Sequence, residues 1–191
     1  ALYNKEKAII YNTLQMYRHD RLKYLKNLQK KSEEGGFTCA VKLVRGAYME
    51  KERARAESLG YKSPIQIDKR DTDSDYDDAL AYVCSTIDGM SVVVGTHNER
   101  SSKWMTTFIE ENSLSKDDSR IWFSQLYGMS DNLSFNLAKS GYNVVKYLPF
   151  GPVEETLPYL IRRAEENTSA SGQTNRELLL IEKEIARRSS Y

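Results

Sequence analysis

Tyr159, Arg162, Arg163 and Glu166 stand at i, i+3, i+4 and i+7 within Pro158–Asn167, a spacing that sets all four on one helical face. Two adjacent guanidinium groups repel unless an anion sits between them. An Arg fork matches a carboxylate through paired N–H···O bonds, so the pair suits a small acid. Glu166, one turn on, is placed to hold one of the arginines. The same spacing also describes a solvated basic face closed by an i,i+3 ion pair, and taken alone it favours that plainer reading.

Further unusual polar residues collect where short apolar runs end. Asn12 closes the first run, Lys42 sits inside the second, Thr96-His97-Asn98 ends the third, Gln125-Leu126 the fourth and Tyr147 the fifth. A lysine inside a strand is costly unless it is paired or touches an anion or an electron-rich ring. A histidine beside a helix start is more often structural than catalytic, but five such strand ends in one chain point to a common rim. In a (β/α)8 barrel the carboxyl ends of the strands carry the active site. No GxGxxG, P-loop, HExxH or GxSxG pattern occurs, and neither histidine has a partner at metal-ligand spacing. We expect no metal centre and no nucleophile–histidine–carboxylate triad. Lys, Thr, His, Asn and Gln with an Arg pair nearby suit a large polar cofactor and a small carboxylate, with the cofactor carrying the redox chemistry.

The elements that position these residues alternate. Ala8–Leu14, Cys39–Val44, Met90–Gly95, Arg120–Leu126 and Asn143–Leu148 read as strands. Helices are expected from Tyr17 to Lys31, after Tyr48, from an N-cap at Thr72 to about Ile87, from Asn98 to Glu111, from Ser130 to Gly141, and through the Arg pair. Five strand–helix units imply an α/β fold with a parallel sheet of right-handed crossovers. Residues 1–167 form this unit. Residues 168–191 read as a polar linker (through Asn175) and an amphipathic helix from Arg176 to Arg188, whose stripe of Leu178, Ile181 and Ile185 is expected to dock on the sheet's helices.

The chain has 191 residues, with 28 basic and 27 acidic side chains. That balance argues against a nucleic-acid surface or an electrostatic membrane anchor. No run of about 18 apolar residues is present to span a membrane. Cys39 and Cys84 lie in apolar contexts and read as buried free thiols of a reducing compartment.

Taken in order, Lys42-Leu43-Val44-Arg45-Gly46-Ala47-Tyr48, Thr72–Tyr76, Thr96-His97-Asn98, Gln125–Met129 and Tyr147–Gly151 through Tyr159–Asn167 resemble the carboxyl-terminal part of the proline dehydrogenase family. The resemblance implies a distorted (β/α)8 TIM-type barrel of which about five units are here. It also implies FAD as cofactor, L-proline as substrate, Δ1-pyrroline-5-carboxylate as product and a quinone as electron acceptor. By the resemblance, Arg162 and Arg163 clamp the proline carboxylate, with Glu166 beside them. Tyr147 and Leu126 pack on the proline ring, and Tyr48 shapes the pocket. Lys42 stands next to the flavin where many relatives carry Arg. Asn12 matches a strand-end amide near the flavin. Val44, Gly46 and Ala47 lend backbone groups to the cofactor. Thr96, His97 and Asn98 contact its body, Ser124 or Gln125 replaces a Gln, and Thr72 is a further contact.

The resemblance further implies cytoplasmic or peripheral inner-membrane placement in a bacterium and mitochondrial placement in a eukaryote. Five strands fall short of eight, and a lysine and an aspartate of the family's pocket lie upstream of the first strand here. We therefore expect a missing amino-terminal half, and an open sheet that leaves Ile9, Ile10, Val93, Val94, Val144 and Val145 partly unpacked. Two other readings of the residues are a non-catalytic assembly module and a flavin barrel acting on another small carboxylate or a folate.

Overall fold

A computed structural model describes residues 2–169 and 171–189, with side chains described outside 164–177. Five strands, β1 (Asn12–Gln15), β2 (Cys39–Val44), β3 (Met90–Gly95), β4 (Ile121–Leu126) and β5 (Val144–Tyr147), pair in parallel and in chain order. Helices α1 (Arg21–Gly35), α2 (Met49–Ser58), α3 (Lys69–Ser85), α4 (Glu99–Glu111) and α5 (Asp131–Lys139) fill the connections, and α6 (Val153–Ser169) and α7 (Ser171–Ser189) follow β5.

Period-2 alternation divides each strand between two faces. Cys39, Val41 and Leu43 of β2, Met90, Val92 and Val94 of β3, and Ile121 and Phe123 of β4 enter one core with Tyr76, Leu80 and Val83 of α3 and Met105 and Ile109 of α4. Fully burying a side chain such as Leu43 or Val92 is worth ~1.5–3 kcal/mol, so this face fixes the strand register. That register carries the intervening residues, Lys42, Val44, Gly95, Ser124 and Tyr147, to the other face, where they line a cleft. Cys39 and Cys84 are buried free thiols, and desolvation pushes Cys39 up to about 11 and Cys84 up to about 12.

Several expected elements shift. β1 begins only at Asn12, because Asn4 captures the segment before it. The Asn4 Oδ1 accepts from the N–H groups of Ile9 (3.0 Å) and Ile10 (2.8 Å), and its amide donates to the Ile10 and Thr38 carbonyls. These local bonds replace ladder bonds, and Ile9 and Ile10 stay exposed. Tyr17 precedes α1 instead of opening it. The N-cap of α3 is Asp68, in a capping box with Asp71, so Thr72 lies inside the helix and not at its start. Ser130 precedes α5 in a left-handed conformation (φ 51°) and makes no cap hydrogen bond. Asn98 does cap α4, accepting from the Ser101 N–H at 3.1 Å. Val94, expected to be partly unpacked, is fully buried because its strand face is the one covered by α3 and α4.

The stretch expected as a linker is helical along 167–169 and 171–175. It contains no proline, and the helix penalty of its Asn, Ser and Thr residues is only a fraction of a kcal/mol each (roughly 0.7 at most). The α7 stripe does not dock as expected: Leu178, Ile181 and Ile185 are exposed, and Leu180 faces α4 and α5 instead.

Candidate functional site

The carboxyl ends of the strands, the loop after β2 and the face of α6 enclose a cleft of about 570 Å³. The loops there follow directly from the strand register, so side chains far apart in sequence meet.

Lys42 reaches into this cleft from β2. Its ammonium lies 5.3 Å from the centroid of the Tyr147 ring, and it has no carboxylate partner among the described residues. The electron-rich ring that a strand lysine requires is thus Tyr147. Burial lowers the Lys42 pKa. The Tyr147 ring meets Tyr159 edge-on at 5.9 Å, and the Arg163 guanidinium lies 5.0 Å from the Tyr159 ring. Arg162 and Arg163 both sit 5.5 Å from the ring of Tyr48, which is supplied by the loop after β2. Desolvation raises the Tyr159 pKa, against the opposing pull of Arg163. The Arg162 Nε is buried and has no hydrogen-bond partner among the described residues. Two guanidinium groups held on tyrosine faces, with a buried N–H unmet, form a pocket for an anion that also has an apolar body. Leu126 pairs in register with Tyr147 and lines the same cleft.

The β2 exit is shaped by sterics. Gly46 has φ 106°, and a Cβ there would stand 2.7 Å from the Tyr17 ring. At Gly95 a Cβ would stand 2.7 Å from the Leu43 carbonyl oxygen and 2.8 Å from Val44. Val44, Gly46 and Ala47 line the cleft. Thr96, His97 and Asn98 also line it. The His97 Nδ1 lies 2.9 Å from the Ser130 Oγ. Burial, with the Lys146 charge behind it, pushes His97 down to about 4, so the ring is neutral near pH 7. Lys146 itself is held by Asp131 at 2.7 Å and by the Met129 carbonyl at 2.7 Å.

Two expected site residues, Asn12 and Thr72, are corrected. Asn12 starts β1 instead of ending it. It therefore lies at the opposite end of the strand from the cleft, where its amide donates to the Tyr24 hydroxyl at 3.0 Å. The strand-end amide is Gln15, which pairs with Val44 and lines the cleft. Thr72 is buried inside α3 and does not line the cleft, whereas its neighbour Asp73 does. Gln125 lines the cleft, and its amide is engaged within the protein: its Nε2 donates to the Thr96 carbonyl at 3.1 Å and its Oε1 accepts from Ser134 at 2.9 Å. Strand alternation turns the Ser124 side chain toward the same cleft. The Glu166 side chain lies outside the described residues. Sequence reasoning assigned no site role to Gly95, Arg45 and Asp73, which line the cleft. Counting by two from Lys42 across the strand ends would have found Gln15.

Comparison with known proteins supplies the relationship. A family model described as "Proline dehydrogenase" matches residues 1–176. Proline dehydrogenase 2 of Arabidopsis thaliana is 42% identical over 188 residues, covering 97% of this chain and 40% of its own length. Proline dehydrogenase 1 of Homo sapiens is 41% identical over 189 residues, covering 97% of this chain and 32% of its own. Both names include "mitochondrial". The chain thus spans less than half the length of these relatives. Among solved structures, proline utilization A from Bdellovibrio bacteriovorus, inactivated by N-propargylglycine, superposes with a TM-score of 0.76 at 28% identity, over 83% of this chain and 16% of that one. Such neighbours are of the TIM-barrel type, and the five parallel strand–helix units here are the corresponding part. With a family model over most of its length and relatives near 40% identity from end to end, the chain belongs to the proline dehydrogenase family.

Proposed function

We propose that this chain builds the carboxyl-terminal part of a flavin-dependent barrel that oxidises L-proline to Δ1-pyrroline-5-carboxylate in proline catabolism, with a quinone accepting the electrons. The observation that carries this reading is the convergence of Arg162 and Arg163 on Tyr48, opposite the Lys42–Tyr147 pair, at the carboxyl ends of parallel strands. Proline offers what that arrangement selects: a carboxylate for the guanidinium forks and a saturated ring for the Tyr147, Leu126 and Tyr48 surfaces.

The cleft also fits FAD, in which the family is flavin-dependent in general. Lys42 has a depressed pKa and no carboxylate partner among the described residues, which suits a neighbour that gains negative charge. Gly95 and Gly46 keep the β2–β3 rim free of side chains, and the Thr96, Asn98 and Gln15 polar groups stand beside it. When bound, FAD supplies the two-electron acceptor for conversion of the proline C–N bond to C=N. The chain's own residues hold the carboxylate, orient the ring, exclude water through the tyrosine walls and present a cation at the cofactor edge.

The absorption spectrum of the full-length protein tests this reading. Flavin bands that bleach when L-proline is added anaerobically are the expected result. A protein without flavin bands, or one whose bands bleach with other small carboxylates but not with proline, contradicts it. Among the described residues no helix is long and apolar enough to cross a membrane. Transfer to a quinone would bring the protein into contact with a bilayer. The Arabidopsis and human names support mitochondrial placement if the source is a eukaryote.

A further inference from the structure

Arg45, the residue just beyond β2, stands at the centre of a network that the proposed chemistry does not use. Its Nε pairs with the Asp73 carboxylate, its Nη1 donates to the Thr96 Oγ1 at 2.8 Å, and its Nη2 donates to the Ser101 Oγ at 3.1 Å, with Asp77 at 3.9 Å. The flat face of the guanidinium covers the buried Tyr76 ring at 4.2 Å. One side chain thus joins the β2 exit, the second turn of α3, the β3–α4 loop and the first turn of α4.

The direction of these bonds has a chemical consequence. Arginine only donates, whereas a hydroxyl oxygen accepts twice and donates once. The Thr96 Oγ1 accepts from Arg45 and also from the Asn98 N–H, at 3.1 Å. Both acceptor positions are filled, and the hydroxyl proton alone is left to offer. Ser101 is polarised in the same way: it accepts from Arg45 and donates to Asp77 at 3.1 Å. A lysine could meet Asp73, but it could not fork to two hydroxyls at fixed angles.

We infer that Arg45 is a positioning residue that presents the Thr96 hydroxyl as a hydrogen-bond donor to an acceptor atom of the cofactor in the cleft. The inference rests on the FAD reading above. Arg45 acts through Thr96 and holds the loop that carries it. The competing acceptor for the Thr96 proton is the Tyr76 hydroxyl, buried beneath the Arg45 guanidinium: burial raises the phenol's pKa, and a hydrogen bond with the Thr96 side chain opposes that rise.

The test is a double-mutant cycle on the FAD dissociation constant, read by quenching of flavin fluorescence when FAD is added to the apo form of the full-length protein. Thr96→Val and Arg45→Met are each expected to weaken binding by about tenfold, and the double variant to be within about twofold of the weaker single, because both changes remove one donor. Arg45→Lys should lie closer to Arg45→Met than to the parent, and Tyr76→Phe should bind as the parent does. A double variant weakened multiplicatively, by about a hundredfold, overturns the coupling while leaving the cofactor reading intact. Full rescue by Arg45→Lys, or a Tyr76→Phe variant that matches Thr96→Val, also overturns it. Thr96→Val without effect defeats the cofactor contact itself. If Arg45→Met does not fold, the cycle is run with Arg45→Lys and is judged by the same two outcomes for its double variant.

Discussion

Arg162 and Arg163 are the residues whose chemistry most constrains the function, because both guanidinium groups converge on the Tyr48 ring at the mouth of the cleft. Replacing either by lysine keeps the charge and removes the planar fork. A charge-assisted hydrogen bond to a buried carboxylate is worth ~1.5–3 kcal/mol. Arg162→Lys and Arg163→Lys are each expected to raise the Michaelis constant for proline by roughly tenfold or more, and to leave bound flavin in place, in steady-state assays of the full-length protein. Unchanged constants in both variants would remove the carboxylate clamp from the argument. His97 carries a pH signature. Its folded pKa of about 4 lies below the ordinary 6.5, so the unfolded chain binds more protons between those values. Stability therefore rises with pH across that window and is lost as pH falls from 6.5 toward 4. Urea midpoints measured from pH 4 to 7 should fall less steeply for His97→Gln than for the parent. Parallel curves would mean that the ring is solvated in the native protein.

At the scale of elements, the alternation of strand and helix was legible because each strand's apolar run is short and bounded by turn chemistry. The helix-facing set from Cys39 to Leu43 and from Met90 to Val94 left little freedom. What was not legible was where β1 begins. Ile9 and Ile10 look like strand residues, and only the side chain of Asn4, folded back onto them, takes their backbone groups out of the ladder. That error of a few residues moved the expected amide from Gln15 to Asn12. Thr72 failed for a similar reason, since Asp68 and Asp71 form a better cap than a lone threonine. Gly95 was passed over because a glycine at a strand end reads as punctuation, whereas here two strands approach too closely for a methyl group. Gly95→Ala would push a Cβ against the Leu43 carbonyl, which is backbone and cannot swing away. We expect a loss of ~1–3 kcal/mol in urea unfolding, together with weaker flavin retention, because Lys42 and Val44 share that contact. A stability equal to the parent's would show that β2 and β3 separate there at no cost.

At the scale of the whole molecule, the arrangement of the sheet sets what the chain can do alone. β1 and β5 are each paired on one side only among the described strands. Their outer N–H and C=O groups have no strand partner among the described residues, and a parallel sheet of this kind is ordinarily closed or covered. Apolar side chains cluster around the β5 side: Leu148 and Phe150 are exposed, Val145 is partly so, and Val153 and Leu157 continue the surface along α6. Exposed patches of this sort favour association. The cleft is likewise walled by five strands, while the relatives that the chain matches are more than twice its length. We therefore predict that residues 1–191 produced by themselves associate or fold incompletely, hold FAD weakly and do not oxidise proline. Supplying the amino-terminal segment of a relative's barrel, as a covalent fusion or by co-expression, should yield a yellow protein with turnover. Size-exclusion chromatography with flavin absorbance decides between the outcomes. A monodisperse, flavin-loaded, active monomer of residues 1–191 would mean that five strands suffice, with α6 and α7 covering the edges that a further set of strands is expected to fill.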